Sequence, residues 1–137
     1  MTKQGAGRLP GRPYDAGMPD LHGRRILVAE DEAIIALEIE ATLEDAHAQV
    51  LGPHAGLEAL LNAIEGPAPD AAILDVHLGA DEVFPAAEAL MRRGVPVIFH
   101  SGQYDRNTLL SLYPQAHSCP KPGSHGELVR LVHRVTH

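Results

Sequence analysis

Residues 70–79 read Asp-Ala-Ala-Ile-Leu-Asp-Val-His-Leu-Gly, "DAAILDVHLG". Ala72, Ile73 and Leu74 form a short apolar run that ends on the carboxylate of Asp75. Such a run predicts a strand buried on both faces, the kind found in parallel sheets. A charge is rarely buried unless it is paired or bound to a metal. Asp75 therefore either caps a turn or stands at the mouth of a site that uses it.

Reading outward from this strand, apolar runs alternate with helical patterns. "RILVAE" (25–30) is a first strand, and "DEAIIALEIEATLEDAHA" (31–48) follows as an amphipathic helix. Ile35, Ile39 and Leu43 recur every four residues in it, with Ala36 and Leu37 alongside and Glu38, Glu44 and Asp45 toward another face. "QVLGP" (49–53) is a brief second strand stopped by Gly52 and Pro53, and "GLEALLNAIEG" (56–66) is helical up to Gly66. After the central strand, "EVFPAAEALMRRG" (82–94) reads as a helix with Pro85 in its first turn. "VPVIFHS" (95–101) is the fourth strand, "DRNTLLSLY" (105–113) a short helix, and "AHSCP" (116–120) a weak fifth strand. "SHGELVRLVHRVTH" (124–137) closes the chain as a helix, with Ser124 and Glu127 spaced as a capping box. Five strands alternating with five helices predict an α/β fold: a parallel sheet covered on both faces.

Composition narrows the function classes. The 137 residues carry a formal net charge of −7, which speaks against a DNA-binding protein held by phosphate contacts. Cys119 is the one cysteine and cannot form an internal disulfide. No apolar stretch has the length of a membrane span, and the N-terminus lacks a secretory signal pattern, so a soluble cytoplasmic protein is expected. Residues 1–23 are rich in Gly and Pro without periodicity and read as a disordered tail; residues 24–137 form one domain, with no length left for an output module. The nine histidines are scattered, and only His133 and His137 have a helical ligand spacing.

In an open parallel sheet, sites gather at the carboxyl ends of the strands. The first strand ends on Glu30 and Asp31, the third on Asp75, the fourth on Ser101 and Gly102, and the fifth on Pro120 and Lys121. Three carboxylates make a hard oxygen cluster suited to Mg²⁺. An aspartate of ordinary acidity is ionised at neutral pH and can act as a nucleophile. Attack on a phosphoryl group would give an acyl phosphate, with Lys121 neutralising the transferring oxygens and the Ser101 hydroxyl bonding one of them. Gly102 would leave space beside the nucleophile.

Together, "LVAEDE" (27–32), "AAILDVHLG" (71–79), "VIFHSG" (97–102) and "PKP" (120–122) closely resemble the receiver domain of bacterial two-component response regulators. The resemblance covers roughly Arg24 to His137. It implies a flavodoxin-like (βα)5 fold with strand order 2-1-3-4-5. It makes Asp75 the phospho-acceptor, and Glu30 and Asp31 the acidic pair for Mg²⁺, with the backbone carbonyl of His77 as a further ligand. Ser101 becomes the switch hydroxyl, and Lys121 the lysine that precedes a proline with a cis peptide. The phosphoryl donor would be a sensor histidine kinase or a histidine phosphotransfer protein, and the output a downstream protein target. The resemblance leaves open a phosphorylation-dependent homodimer.

The chain also departs from the pattern. Ser118 stands where a switch aromatic is usual, and Ser101-Gly102 replaces Thr-Ala. "FHSGQY" (99–104) instead resembles a subgroup of stand-alone receivers with a Phe-Ala-Thr-Gly-x-Tyr motif, with His100 in place of Ala. In that reading Tyr104 reports the phosphorylated state; separately, adduct lifetime is expected to depend on side chains near the site, His77 and Gln103 among them. The expected function is a non-enzymatic phosphoacceptor that signals through protein contacts or shuttles phosphoryl groups. The alternatives are an aspartyl-phosphate phosphatase, which would favour Asp-x-Asp on the first strand, and a receiver-like binding module that is never phosphorylated.

Overall fold

The computed structural model describes residues 19–102, 104–121 and 125–137. Residues 1–18, Gln103 and residues 122–124 lie outside it, and with them most of the expected N-terminal tail, the expected Ser124 cap and the expected cis peptide before Pro122. The elements run β1 (Arg25–Ala29), α1 (Ala33–Asp45), β2 (Gln49–His54), α2 (Leu57–Ile64), β3 (Ala71–Leu74), β4 (His77–Leu78) and β5 (Asp81–Glu82). They continue through α3 (Phe84–Arg92), β6 (Val97–Ser101), α4 (Arg106–Leu112), β7 (His117–Pro120) and α5 (His125–Val135).

Five parallel strands form one sheet in the order β2-β1-β3-β6-β7, with β3 at its centre. This is the 2-1-3-4-5 order expected of a flavodoxin-like fold once the small β4-β5 hairpin is set aside. Side chains alternate along each strand and sort into two cores. Leu27, Ala72, Leu74, Val97 and Phe99 pack with Leu60, Ala87, Leu90 and Leu109, so α2, α3 and α4 cover one face. Ile26, Val28, Ala71, Ile73 and Ile98 pack with Ile39, Leu43, Val129 and Val132, so α1 and α5 cover the other. Each fully buried Leu, Ile or Phe contributes about 1.5–3 kcal/mol.

Four local expectations need correction. β2 does not stop at Gly52 but runs through to His54 across a cis Gly52–Pro53 peptide, with Gly52 at φ +105°. A Cβ at Gly52 would lie 2.8 Å from both the Val28 carbonyl oxygen and the His54 amide, so only glycine fits. On α1, Leu37 is 64% exposed and Ile34 74% exposed, so Leu37 lies outside the buried stripe. Glu82 belongs to the β4-β5 hairpin, and α3 starts at Phe84 with Pro85 in its first turn. Leu21, which falls within the expected tail, is instead packed into the core. Leu21 is fully buried, and its N–H donates to the Ala46 carbonyl at 2.7 Å, closing the base of α1. Among the described residues no helix is long and apolar enough to cross a membrane.

Candidate functional site

Asp75 follows β3 directly, and its N–H donates to the Ala29 carbonyl at 2.9 Å. The pleat sets its direction. Val28, Ile73 and Ile98 are register partners across β1, β3 and β6, all on the α1/α5 face. Two residues further along each strand, that face carries Glu30, Asp75 and His100. The apolar strand thus delivers a carboxylate to the sheet edge, where β1 supplies a second one.

Glu30, Asp31 and Asp75 each offer an oxygen within 4.8 Å of the others. Glu30 is 2% exposed and Asp75 8% exposed, while Asp31 is open to solvent. The cluster is held by backbone amides: Glu32 N–H donates to Glu30 Oε2 at 3.1 Å and His77 N–H to Asp75 Oδ1 at 3.3 Å. Gly79, at φ +64°, turns its N–H onto Asp31 Oδ2 at 2.8 Å. The Lys121 ammonium lies 2.6 Å from Glu30 Oε1 and 3.0 Å from Asp75 Oδ2. A Cβ on Gly102 would meet Lys121 Cβ at 3.4 Å, so the lysine stem passes the end of β6 there. The space at Gly102 is therefore beside the lysine stem, whose ammonium reaches Asp75.

Burial pushes the Glu30 carboxyl up to about 7, against the lowering pull of the Lys121 ammonium. For Lys121 burial weakens the ammonium, but the hydrogen bonds to Glu30 and Asp75 outweigh it and hold it above its ordinary value. Two or three oxygen ligands around a partly open edge suit a divalent ion that keeps several waters, so the donor set fits Mg²⁺.

Ser101 ends β6 and is 5% exposed. Its Oγ accepts the Tyr104 N–H at 3.2 Å, and Lys121 N–H donates to the Ser101 carbonyl at 3.1 Å. Lysine and hydroxyl are thus carried on adjacent, directly bonded strands.

Sequence reasoning missed what surrounds Tyr104. Its hydroxyl donates to Glu82 Oε2 at 2.6 Å, and its ring lies 5.4 Å from the His77 ring and 5.9 Å from Phe84. Phe84 stacks on Tyr113 at 5.4 Å and meets Phe99 edge-on at 5.9 Å, while the Tyr113 hydroxyl donates to Glu88 Oε2 at 2.6 Å. An aromatic chain therefore runs from the Asp75 loop to the far end of α4. Nothing in the spacing of Glu82 or Glu88 announces these partners, because hairpin and helix bring them in from separate segments. The rings of His133 and His137 do lie together, with centroids 3.9 Å apart and planes tilted by 33°, but the Arg24 guanidinium lies 3.2 Å from His137 Nε2, an unfavourable neighbour for a metal.

No protein-family model and no curated protein sequence matches the chain. Solved structures do. A response regulator receiver protein from Sinorhizobium medicae is 25% identical, with 82% of this chain and 94% of that one aligned and a TM-score of 0.72. A Francisella response regulator receiver domain is 24% identical over 82% of this chain and 96% of that one, with a TM-score of 0.69. The receiver domain of a Pseudomonas aeruginosa sensor histidine kinase, solved with magnesium in its active-site cleft, is 22% identical over 83% and 98%, with a TM-score of 0.72. Strand order, two-faced helix cover and these neighbours agree: the chain has the fold of response regulator receiver domains.

Proposed function

We propose that the protein is a phosphoacceptor of a two-component phosphorelay, with Asp75 as the acceptor. The observation that carries this reading is the convergence of Glu30, Asp31, Asp75 and the Lys121 ammonium at one sheet edge. An Asp75 carboxylate oxygen attacks phosphorus in line, the bond from phosphorus to the donor's leaving group breaks, and the leaving group takes up a proton. With a phosphohistidine donor, that leaving group is the imidazole of a sensor kinase or phosphotransfer protein. The step requires position and charge neutralisation more than covalent help. Glu30, Asp31, Asp75 and the His77 carbonyl would hold Mg²⁺, which supplies positive charge to the transferring oxygens when bound. Lys121, whose ammonium lies against Asp75 Oδ2, would provide a second positive charge.

Phosphorylation adds about −1.5 to −2 charge at Asp75. The Ser101 hydroxyl can then leave the Tyr104 amide for a phosphoryl oxygen. Tyr104 is bonded to Glu82 and packed on His77 and Phe84, so this exchange reaches the aromatic chain and α4. The changed α4 surface is the signal offered to a downstream protein or to a second copy of the chain.

The test is intact mass after incubation with acetyl phosphate and Mg²⁺. A single labile adduct of one phosphoryl group, abolished by EDTA, supports the proposal. Multiple turnover of a small phosphoester would favour a phosphatase instead, and a protein without adduct or Mg²⁺ affinity would be a binding module.

A further inference from the structure

His100 is the one side chain in the row at the sheet edge to which the chemistry above gives no task. It is 8% exposed, and its Nδ1 is buried with no hydrogen-bond partner. A buried polar atom left unpaired costs about 1–3 kcal/mol, which an aliphatic residue of similar volume would avoid. The rest of β6 before it, Val97 to Phe99, is buried and apolar. Packing alone therefore does not account for an imidazole here.

Its position does. His100 is the register partner of Cys119, two residues before Lys121 on β7. On its other side, Leu74 pairs with Phe99, so Asp75 is its lateral neighbour on the same sheet face. Lys121 directly follows β7 and its ammonium lies against Asp75 and Glu30, so its stem crosses the end of β6, with its Cβ beside Gly102. His100 is the β6 side chain on the face the ammonium enters.

We infer that His100 is a positioning residue for Lys121, an imidazole floor that keeps the ammonium on the carboxylates at rest and on the phosphoryl oxygens during transfer. Burial first, then the nearby ammonium, push the His100 ring down to about 4, so it is uncharged at neutral pH. An uncharged imidazole has one lone-pair nitrogen and does not repel a cation. The part of the inference that concerns transfer rests on the proposed role of Asp75; the part that concerns the resting pair does not.

A double-mutant cycle separates the two. Urea midpoints in EDTA are measured for the wild type, His100→Leu, Lys121→Ala and the double variant, with His100→Gln replacing His100→Leu if the latter does not fold. Acetyl phosphate and Mg²⁺ are then used to follow adduct formation in the same set. Non-additive midpoints are expected. Phosphorylation should slow by about threefold or more in His100→Leu, with no further slowing when Lys121 is already Ala. Additive midpoints, or equal slowing in both backgrounds, would overturn the positioning role. A wild type that takes no phosphoryl group would refute the proposed function alone, because the urea cycle still decides whether His100 places the lysine.

Discussion

The Lys121 ammonium lies 2.6 Å from the Glu30 carboxylate, which is almost completely withdrawn from water. This pair spans the sheet edge from the end of β7 to the end of β1, with Asp75 3.0 Å from the same ammonium. A buried carboxylate that loses such a partner is left uncompensated. Lys121→Ala should therefore destabilise the metal-free protein by about 2 kcal/mol at pH 7.5, less than a fully dry pair because Glu30 can take a proton. Adding Glu30→Gln should recover part of that loss. Urea unfolding in EDTA measures both, and a Lys121→Ala protein as stable as the wild type would show that the pair contributes nothing. Lys121→Ala should also keep its ability to be phosphorylated, slowly, while losing the accompanying change at α4; wild-type-like partner binding by the phosphorylated variant would contradict the role given to the lysine.

Asp31 differs from its neighbours because it is exposed and held by the Gly79 amide. Asp31→Asn keeps an oxygen for that amide and removes a charge from the cation cluster. Calorimetric titration should show Mg²⁺ affinity lowered by about tenfold or more, with thermal stability in EDTA nearly unchanged. An unaltered Mg²⁺ isotherm would remove Asp31 from the ligand set.

His100 gives the protein a specific pH dependence. Its ordinary value is 6.5, and in the fold it is pushed down to about 4 by burial. Above pH 6.5 the ring is neutral in both folded and unfolded chains and adds no pH dependence. As pH falls from 6.5 toward 4, the unfolded chain takes up a proton that the folded one refuses, so stability is lost across that window. The loss amounts to about 2 kcal/mol at pH 5. Comparing urea unfolding of the wild type and His100→Leu at pH 7 and pH 5 checks this. The variant should lose less stability on acidification, and parallel losses would show that the imidazole is not kept neutral.

Phe99 is fully buried at the junction of Phe84 and Tyr113. Phe99→Ala should cost about 3–5 kcal/mol by opening a cavity in the α2/α3/α4 core. Phe99→Leu should cost far less in stability while weakening the relay between the Asp75 loop and α4. Amide chemical-shift changes in α4 on phosphorylation report the relay. A Phe99→Leu protein in which they match the wild type would show that the signal takes another path.

Much of this fold is legible in the sequence because strand burial is written locally. Apolar runs such as "RILVA" and "AAIL" can satisfy two helical layers only in a parallel sheet, and strand order then assembles Glu30, Asp75 and Lys121 from three distant segments. What escapes is set by tertiary geometry. Glu82 reads as the start of a helix, yet the turn at Gly79 folds it into a hairpin beneath Tyr104. Gly52 and Pro53 read as a stop, yet glycine's positive φ lets β2 continue to His54. Leu37, by contrast, stands two positions from both Ile35 and Ile39, about 200° around the helix, so the helical period puts it opposite the buried stripe despite its apolar side chain. His100 carries no signal of its own until the register places it between Asp75 and the lysine strand.

The most direct measurement concerns which atom receives the phosphoryl group. Protein incubated with acetyl phosphate and Mg²⁺ is reduced with borohydride, which converts an aspartyl phosphate to homoserine, and peptides are mapped by mass. Homoserine at position 75, absent from Asp75→Asn, is the predicted result. Homoserine at another aspartate, or none in a folded, Mg²⁺-loaded protein, would contradict it.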